Sequence, residues 1–368
     1  MTIAARTPRL TDTTVAEPAR VMICDDSAVI RSAIARMLEG EPGVRVVARV
    51  ANGRQAVEEV KRQQIDVAVL DIEMPEMDGM QALPLLLRAD PALRVIMAST
   101  LTTRGADIAL RALRLGAADY LPKPTTAAIT DDSFRRELLA KVTGLARLRR
   151  RAVAPAAALP AATFTLRPAP TGSLDLLAIG SSTGGPQALF ALVQGLGRQI
   201  TVPVVLTQHM PPAFTTLLAA HLGKLDGPEC AEARDGEALL PGRIYVAPGD
   251  RHLLVERSGI GLRARVTQGP AENFCRPSVD PMLRSAAVAC GGRVLVVMLT
   301  GMGRDGLDGT RAVIDAGGMA LAQDEASSVV WGMPGAIAQA GLCHMVLPLP
   351  QLAAATLHLL RGGRRAPR

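Results

Sequence analysis

Two groups of side chains in this sequence have types and spacing that could do chemistry. The first is acidic. Asp25 and Asp26 follow the apolar run RVMIC (20–24), Asp71 closes IDVAVLD, Ser99 closes LRVIMAS, and Lys123 follows DYLP. Three carboxylates brought to one place repel unless a cation sits among them, and hard oxygen ligands of this kind suit Mg²⁺. A hydroxyl and an ammonium beside them suit phosphate oxygens. The chemistry this suggests is Mg²⁺-assisted transfer of a phosphoryl group to one aspartate.

The second group is nucleophilic. The apolar run LDLLAIG (174–180) leads into Gly180-Ser181-Ser182-Thr183-Gly184, a G-x-S-x-G, and then into the helical pattern GPQALFALVQGL. Glycines on both sides permit a tight strand-to-helix turn that lifts the Ser182 hydroxyl clear. The helix N-terminus behind it offers N–H groups to a developing oxyanion. A serine needs a base, and the base an orienting group. Of five histidines, His209 is placed to serve, because it closes ITVPVVLTQH just before Met210-Pro211-Pro212. His221 and His358 fall in helix-like patterns, His252 after a PGD turn, and His344 in a strand-like segment, so these four read as packing or surface residues. The loop after RVLVVMLTG (293–301) carries both Asp305 and Asp308 among glycines. Spacing does not choose between them for the third role, and such a loop could instead bind a metal or phosphate. The order Ser, His, Asp differs from that of the α/β-hydrolases.

The elements that must position these groups follow from the periodicity. Short apolar runs alternate with helical patterns such as IRSAIARMLEG, GRQAVEEVKRQ and ADIALRALRLGA. Alternation at that spacing predicts parallel sheets covered by helices on both faces. In such sheets, ligands bind beyond the carboxyl ends of the strands, where Asp25, Asp26, Asp71, Ser99, Lys123, Ser182 and His209 fall. The expected fold class is α/β with two domains: a flavodoxin-like doubly wound sheet, then a mostly parallel, Rossmann-like one.

The motifs CDD (24–26), LDIEMPEMDG (70–79), MAST (97–100) and KP (123–124) resemble those of a two-component receiver domain. The resemblance implies that Asp71 is phosphorylated and that Asp25, Asp26, Asp71 and the Glu73 backbone carbonyl surround Mg²⁺. It further implies that Ser99 and Lys123 contact the phosphoryl group and that Tyr120 is the switch aromatic. The stretches IGSSTGGPQAL (179–189), TQHMPPAFT (207–215), LPGRIYVAPGDRHL (240–253), RPSVDPML (276–283), LTGMGRDG (299–306) and EASSVVWGMP (325–334) resemble the catalytic domain of the chemotaxis protein-glutamate methylesterases. That resemblance implies Ser182 as nucleophile, His209 as base and Asp305, not Asp308, as orienting carboxylate. Thr183 and the Met302 backbone N–H would serve the oxyanion. Ser181 is a departure, since many relatives have Ala there. The implied activity is hydrolysis of glutamyl methyl esters, and deamidation of glutamines, on the cytoplasmic domain of a chemoreceptor. A chemotaxis histidine kinase would supply the phosphoryl group, and the esterase reaction would need no cofactor.

Composition sets the frame. The 368 residues suffice for two domains. At 48% hydrophobic and 20% charged the chain is too apolar for disorder, and 2% aromatics leave the cores to aliphatic side chains. The net charge of +7 concentrates in residues 141–172, which hold six basic and no acidic side chains. The Ala- and Pro-rich stretch from Pro155 to Pro170 disfavours continuous helix. The expected division is an extension at 1–19, a receiver at 20–140, a linker at 141–172, a catalytic domain at 173–360 and a basic tail at 361–368. A charge surplus confined to a linker argues against a DNA-binding output and so against a nucleic-acid partner. The rival that remains is a scaffold in which Ser182 and His209 are only structural. There is no long apolar run or secretory signal, so a cytoplasmic protein without membrane insertion is expected. Cys24, Cys230, Cys275, Cys290 and Cys343 show no C-x-x-C and read as reduced structural thiols.

Overall fold

The structure is a computed structural model that describes residues 17–100, 102–123, 132–153, 165–167 and 172–362. Pro124, most of the expected N-terminal extension, much of the Pro-rich stretch and nearly all of the basic tail lie outside the described residues.

The first unit alternates strand and helix: β1 (Ala19–Cys24), α1 (Ala28–Glu39), β2 (Val44–Val50), α2 (Gly53–Arg62), β3 (Val67–Asp71), α3 (Gly79–Ala89), β4 (Arg94–Ser99), α4 (Thr103–Arg114), β5 (Asp119–Pro122) and α5 (Asp132–Val153). Its five strands pair in the order β2-β1-β3-β4-β5, all parallel. Val67, Ala68, Val69 and Leu70 are fully buried, as a strand covered on both faces requires. Local signals start the helices. Ser27 and Asn52 cap α1 and α2, and Asp78 with Gln81 forms a capping box on α3.

The second unit runs β6 (Leu176–Ser181), α6 (Gly185–Leu196), β7 (Val204–Gln208), α7 (Pro212–Leu222), β8 (Glu229–Glu232), β9 (Arg243–Val246), β10 (His252–Ser258), β11 (Gly261–Thr267), α8 (Val279–Cys290), β12 (Val294–Met298), α9 (Leu307–Asp315), β13 (Met319–Gln323), α10 (Met333–Gln339), β14 (Met345–Leu347) and α11 (Leu349–Leu360). Seven strands form a parallel sheet in the order β14-β13-β12-β6-β7-β9-β8, while β10 and β11 make a separate antiparallel hairpin. The chain enters at β6, builds outward through β7, then returns to β12 on the other side. The crevice at this reversal, beyond the carboxyl ends of β6 and β12, is where such sheets take ligands.

The boundary expected at residue 141 falls inside α5. The helix continues to Val153 and buries Val142, Leu145 and Ala146. The basic residues expected to mark a linker are structural. Lys141 pairs with Asp119 and Glu137, Arg149 with Asp66 and Asp90, and Arg147 with Glu325 of the second unit. Nothing before Pro155 stops a helix, and a surplus of charge says nothing about backbone state. The β7 strand is also shorter than the run ITVPVVLTQH, beginning only after Pro203, which has no N–H for the ladder.

Candidate functional site

In the first unit, Asp25, Asp26 and Asp71 converge at the carboxyl edge, with one oxygen from each within 4.8 Å of the others. Asp25 and Asp71 are buried. Lys123 Nζ lies 2.6 Å from Asp71 Oδ2 and 3.4 Å from Asp25 Oδ2, yet neither oxygen has hydrogen-bond geometry to any described group. Buried oxygens so poorly provided for fit a hard divalent cation. Burial pushes the Asp71 carboxyl up to about 6, against the opposing pull of Lys123. The Glu73 N–H donates to Asp71 Oδ1 at 3.3 Å. Ser99 is buried on the neighbouring strand, its hydroxyl donating to the Thr100 carbonyl at 3.2 Å. Tyr120 points away from this edge; its ring stacks on Phe214 of α7 with centroids 4.6 Å apart.

In the second unit, three loops meet at the crevice. Ser182 follows β6, its N–H donating to the Thr300 carbonyl at 3.0 Å and its carbonyl accepting from Gly185 and Gln208. The left-handed residue of this turn is Gly184 (φ 74°), not the serine. A Cβ on Gly184 would lie 2.4 Å from Val329 Cγ2, so no other residue fits. Ser181 is fully buried and its hydroxyl donates to Gln208 Oε1 at 2.6 Å, which turns it into the sheet and away from the crevice. The N–H groups of Thr183 and Met302 make no hydrogen bond among the described residues. Two free donors, one just before α6 and one in the loop after β12, are what an oxyanion requires.

His209 Nε2 lies 2.7 Å from Asp305 Oδ2. Asp308 is instead exposed in the first turn of α9. Asp305 is almost fully buried and takes four further hydrogen bonds: Ser278 Oγ at 2.7 Å, Val279 N–H at 2.7 Å, Asp280 N–H at 3.1 Å and Asn273 Nδ2 at 3.0 Å. It thus caps the start of α8 from outside the helix, where an anion is favoured. Burial alone would raise its carboxyl, but His209 and these donors hold it well below the usual range. Burial alone would likewise lower His209, but Asp305 and then Cys275 raise it, so the imidazole holds its proton. Cys275 Sγ stands 3.4 Å from His209 Nδ1, the nitrogen left over for a serine hydroxyl. The Ser182 hydroxyl has no hydrogen bond to His209 here.

The remaining histidines are bonded into the fold or packed. His252 meets the Pro270 carbonyl and the Ser278 N–H, and His344 accepts from the Ala320 N–H. His221 pairs with Asp107 of α4 across the two units, at 3.1 Å. Asn273, Ser278 and Cys275 carried no signal as site residues. Their one sequence cue is the RPSVDPML stretch, which contains Ser278 and begins just after Asn273 and Cys275, and a lone cysteine read as structural turns out to touch the imidazole.

The first unit covers this crevice. Asp119 Oδ2 accepts the Gly184 N–H at 3.0 Å, reaching into the serine loop itself. Gln187 donates to the Leu113 and Ala117 carbonyls. Gly144 on α5 sits so close to Val329 that a Cβ would lie 2.0 Å from its carbonyl oxygen. A cavity of about 420 Å³ remains, with Tyr120, Pro122 and Glu137 on one wall and His209, Cys275 and Asp250 on the other. The mouth of the site is therefore shared between the two units.

The CheB methylesterase family matches residues 177–356 and the response regulator receiver domain matches residues 21–132. A Paramagnetospirillum magneticum protein named protein-glutamate methylesterase/protein-glutamine glutaminase 1 is 53% identical over 91% of this chain and 94% of its own length. A protein-glutamate methylesterase/protein-glutamine glutaminase of Azospirillum brasilense is also 53% identical, over 91% of each chain. The crystal structure of the Thermotoga maritima CheB methylesterase catalytic domain matches with a TM-score of 0.50 and 37% identity, covering 51% of this chain and all of that one. Identity at this level over nearly the full length, with a receiver domain in front of the catalytic domain, means that the chain belongs to the CheB family of protein-glutamate methylesterases.

Proposed function

We propose that Ser182, His209 and Asp305 carry out the hydrolysis of glutamyl methyl esters on chemoreceptors, and the deamidation of glutamines, under control of phosphorylation at Asp71. The observation that supports this best is the His209–Asp305 pair beside two unbonded N–H groups at the sheet's reversal point. The carboxylate, saturated by neighbours, keeps its charge and aims the imidazole. With His209 neutral, Nδ1 takes the Ser182 proton as the hydroxyl attacks the ester carbonyl. Thr183 and Met302 donate to the oxyanion, a role worth about 2.7–4 kcal/mol per donor. As the tetrahedral intermediate collapses and the ester C–O bond breaks, His209 gives the proton taken from Ser182 to the departing methoxide oxygen, which leaves as methanol. Water, deprotonated by the same imidazole, frees glutamate from the acyl-serine. On a γ-amide the same steps release ammonia.

In the covered arrangement His209 is protonated and faces Cys275 while the receiver shares the site's mouth. A protein substrate and the receiver cannot occupy that mouth together, so activity requires the two units to part. Asp25, Asp26, Asp71 and the Glu73 carbonyl would hold Mg²⁺, which when bound neutralises charge during phosphoryl transfer from the histidine kinase. Phosphorylated Asp71 would draw Lys123 and Ser99, and β5 carries Asp119 and Tyr120 from this site to the interface. Such a modification shifts the balance of two arrangements. The division into a receiver and a catalytic domain from 173 to 360 is kept in this reading, with α5 counted with the receiver.

Methanol release from methylated receptor membranes, with and without acetyl phosphate, tests chemistry and control together. Release that rises with the phosphodonor and disappears in Ser182→Ala is expected. Release unaffected by Ser182→Ala would dismiss the serine mechanism.

A further inference from the structure

The turn at residues 272–275 touches the machinery through Asn273 and Cys275, but Phe274 has no part in the steps above. It closes with two hydrogen bonds, Glu272 N–H to the Cys275 carbonyl at 3.1 Å and Cys275 N–H to the Glu272 carbonyl at 2.9 Å. Its two central residues both have positive φ, Asn273 at 54° and Phe274 at 62°. That is the pattern of a primed two-residue turn, in which glycine is favoured at the second central position. Here the position holds phenylalanine, and its side chain is completely exposed, at 105% of the reference accessibility. A bulky residue is thus kept in a backbone conformation that costs it energy and glycine nothing, while its ring gains no burial. Folding supplies no reason for it. The other aromatic residues among those described are buried or half-buried.

The turn is held rigidly against the site. Arg284 grips Glu272 with two hydrogen bonds, at 2.6 and 2.7 Å. The Asn273 amide donates to both Asp280 and Asp305, at 2.8 and 3.0 Å. Cys275 touches His209. Phe274 is therefore displayed one residue away from a group in contact with the imidazole, on a turn whose flanks are fixed to the orienting carboxylate. The Met302 side chain, next in sequence to the Gly301 that packs against Ser182, is exposed as well.

We propose that Phe274 is a substrate-docking residue that packs against an apolar side chain of the protein segment carrying the esterified glutamate. This rests on the methylesterase reading above. A γ-methyl ester is small and uncharged and offers little to grip, so affinity for a protein substrate must come from contacts away from the reacting carbonyl. A rigid, exposed aromatic ring is suited to that, since it loses little entropy on binding and buries a large area. The receiver leaves Phe274 uncovered, so the ring is available before and after the two units part.

The test uses the full chain with acetyl phosphate, assayed on methylated receptor membranes, comparing Phe274→Gly, Phe274→Ala and Phe274→Tyr with the parent. Phe274→Gly and Phe274→Ala are expected to raise KM by about tenfold with kcat within about twofold, a loss of shared ground-state and transition-state binding. Phe274→Tyr is expected to keep KM near the parent value. Because glycine suits the turn, Phe274→Gly should melt at or above the parent's temperature while binding substrate worse, a combination that a purely structural residue does not produce. An unchanged KM in Phe274→Gly, or a fall in kcat that follows a fall in melting temperature, overturns the docking role while leaving the esterase reading intact. A parent chain that releases no methanol overturns both.

Discussion

The two halves of this protein place a buried aspartate at the carboxyl edge of a parallel sheet, and they treat it in opposite ways. Asp305 accepts hydrogen bonds from a serine, an asparagine, two backbone N–H groups and His209, and its carboxyl lies well below the usual range. Asp71 has one weak backbone donor and an ammonium, and burial carries it up to about 6. A carboxylate whose lone pairs are saturated is a fixed charge, fit to orient a base and unfit to react. A carboxylate left short of donors is a reactive one, open to a cation and a phosphoryl group. A buried aspartate at a strand's end or in the loop beyond one becomes an orienting group or a nucleophile according to how many donors surround it.

The contrast can be broken most severely at the catalytic site. Ser182→Ala should abolish methanol release, on the order of 10⁶-fold if the triad acts as a unit, while acetyl-phosphate labelling of Asp71 is retained. Asp305→Asn keeps the shape but removes the charge and favours the wrong imidazole tautomer. A loss in kcat of roughly 10⁴-fold is expected, and a loss under tenfold would mean that the carboxylate is only a helix cap.

The interface between the halves is the next target. Tyr120→Ala removes a stacked ring from Phe214, a contact worth about 0.5–1.5 kcal/mol beyond its buried area. Methanol release without phosphodonor should rise by about tenfold or more, and unchanged basal release would place the brake elsewhere.

The smallest effects are those of pH, and they separate the two aspartates directly. Asp71 must be ionised to attack. Burial raises its carboxyl, so labelling by acetyl phosphate should weaken as pH falls below neutrality, and less steeply at high Mg²⁺, because a bound cation favours the ionised form. A labelling rate flat down to pH 5 would show that the buried site is better solvated than the fold implies. Asp305 stays ionised across the same range, so its half of the molecule responds through His209 instead. Because the imidazole is raised, unphosphorylated esterase activity should climb as pH increases above neutrality. Activity that instead falls across pH 7–9 would contradict a protonated resting base.

Much of this was legible in the chain itself. Buried parallel strands must be continuous apolar runs, and parallel sheets gather their strand ends at one edge, so Asp25, Asp26, Asp71, Lys123, Ser182 and His209 could be assigned to two edges from order and spacing. Glycine at 184 and the prolines after His209 are local requirements of the turns they occupy. Four things were decided only by long-range contact. Asp305 and Asp308 are equivalent by local pattern, and the approach of α8 and His209 separates them. The helix α5 runs through a segment whose charge suggested a linker, because its basic residues find carboxylates brought from elsewhere in both halves. Cys275 is a lone cysteine until folding sets it against an imidazole 66 residues away in sequence. Asp119 is an ordinary strand-start residue until the receiver docks and its carboxylate meets the Gly184 N–H. Periodicity and turn chemistry act over a few residues and leave their mark on the string. Which buried donor meets which acceptor depends on how whole sheets and helices pack, and only the folded chain carries that information.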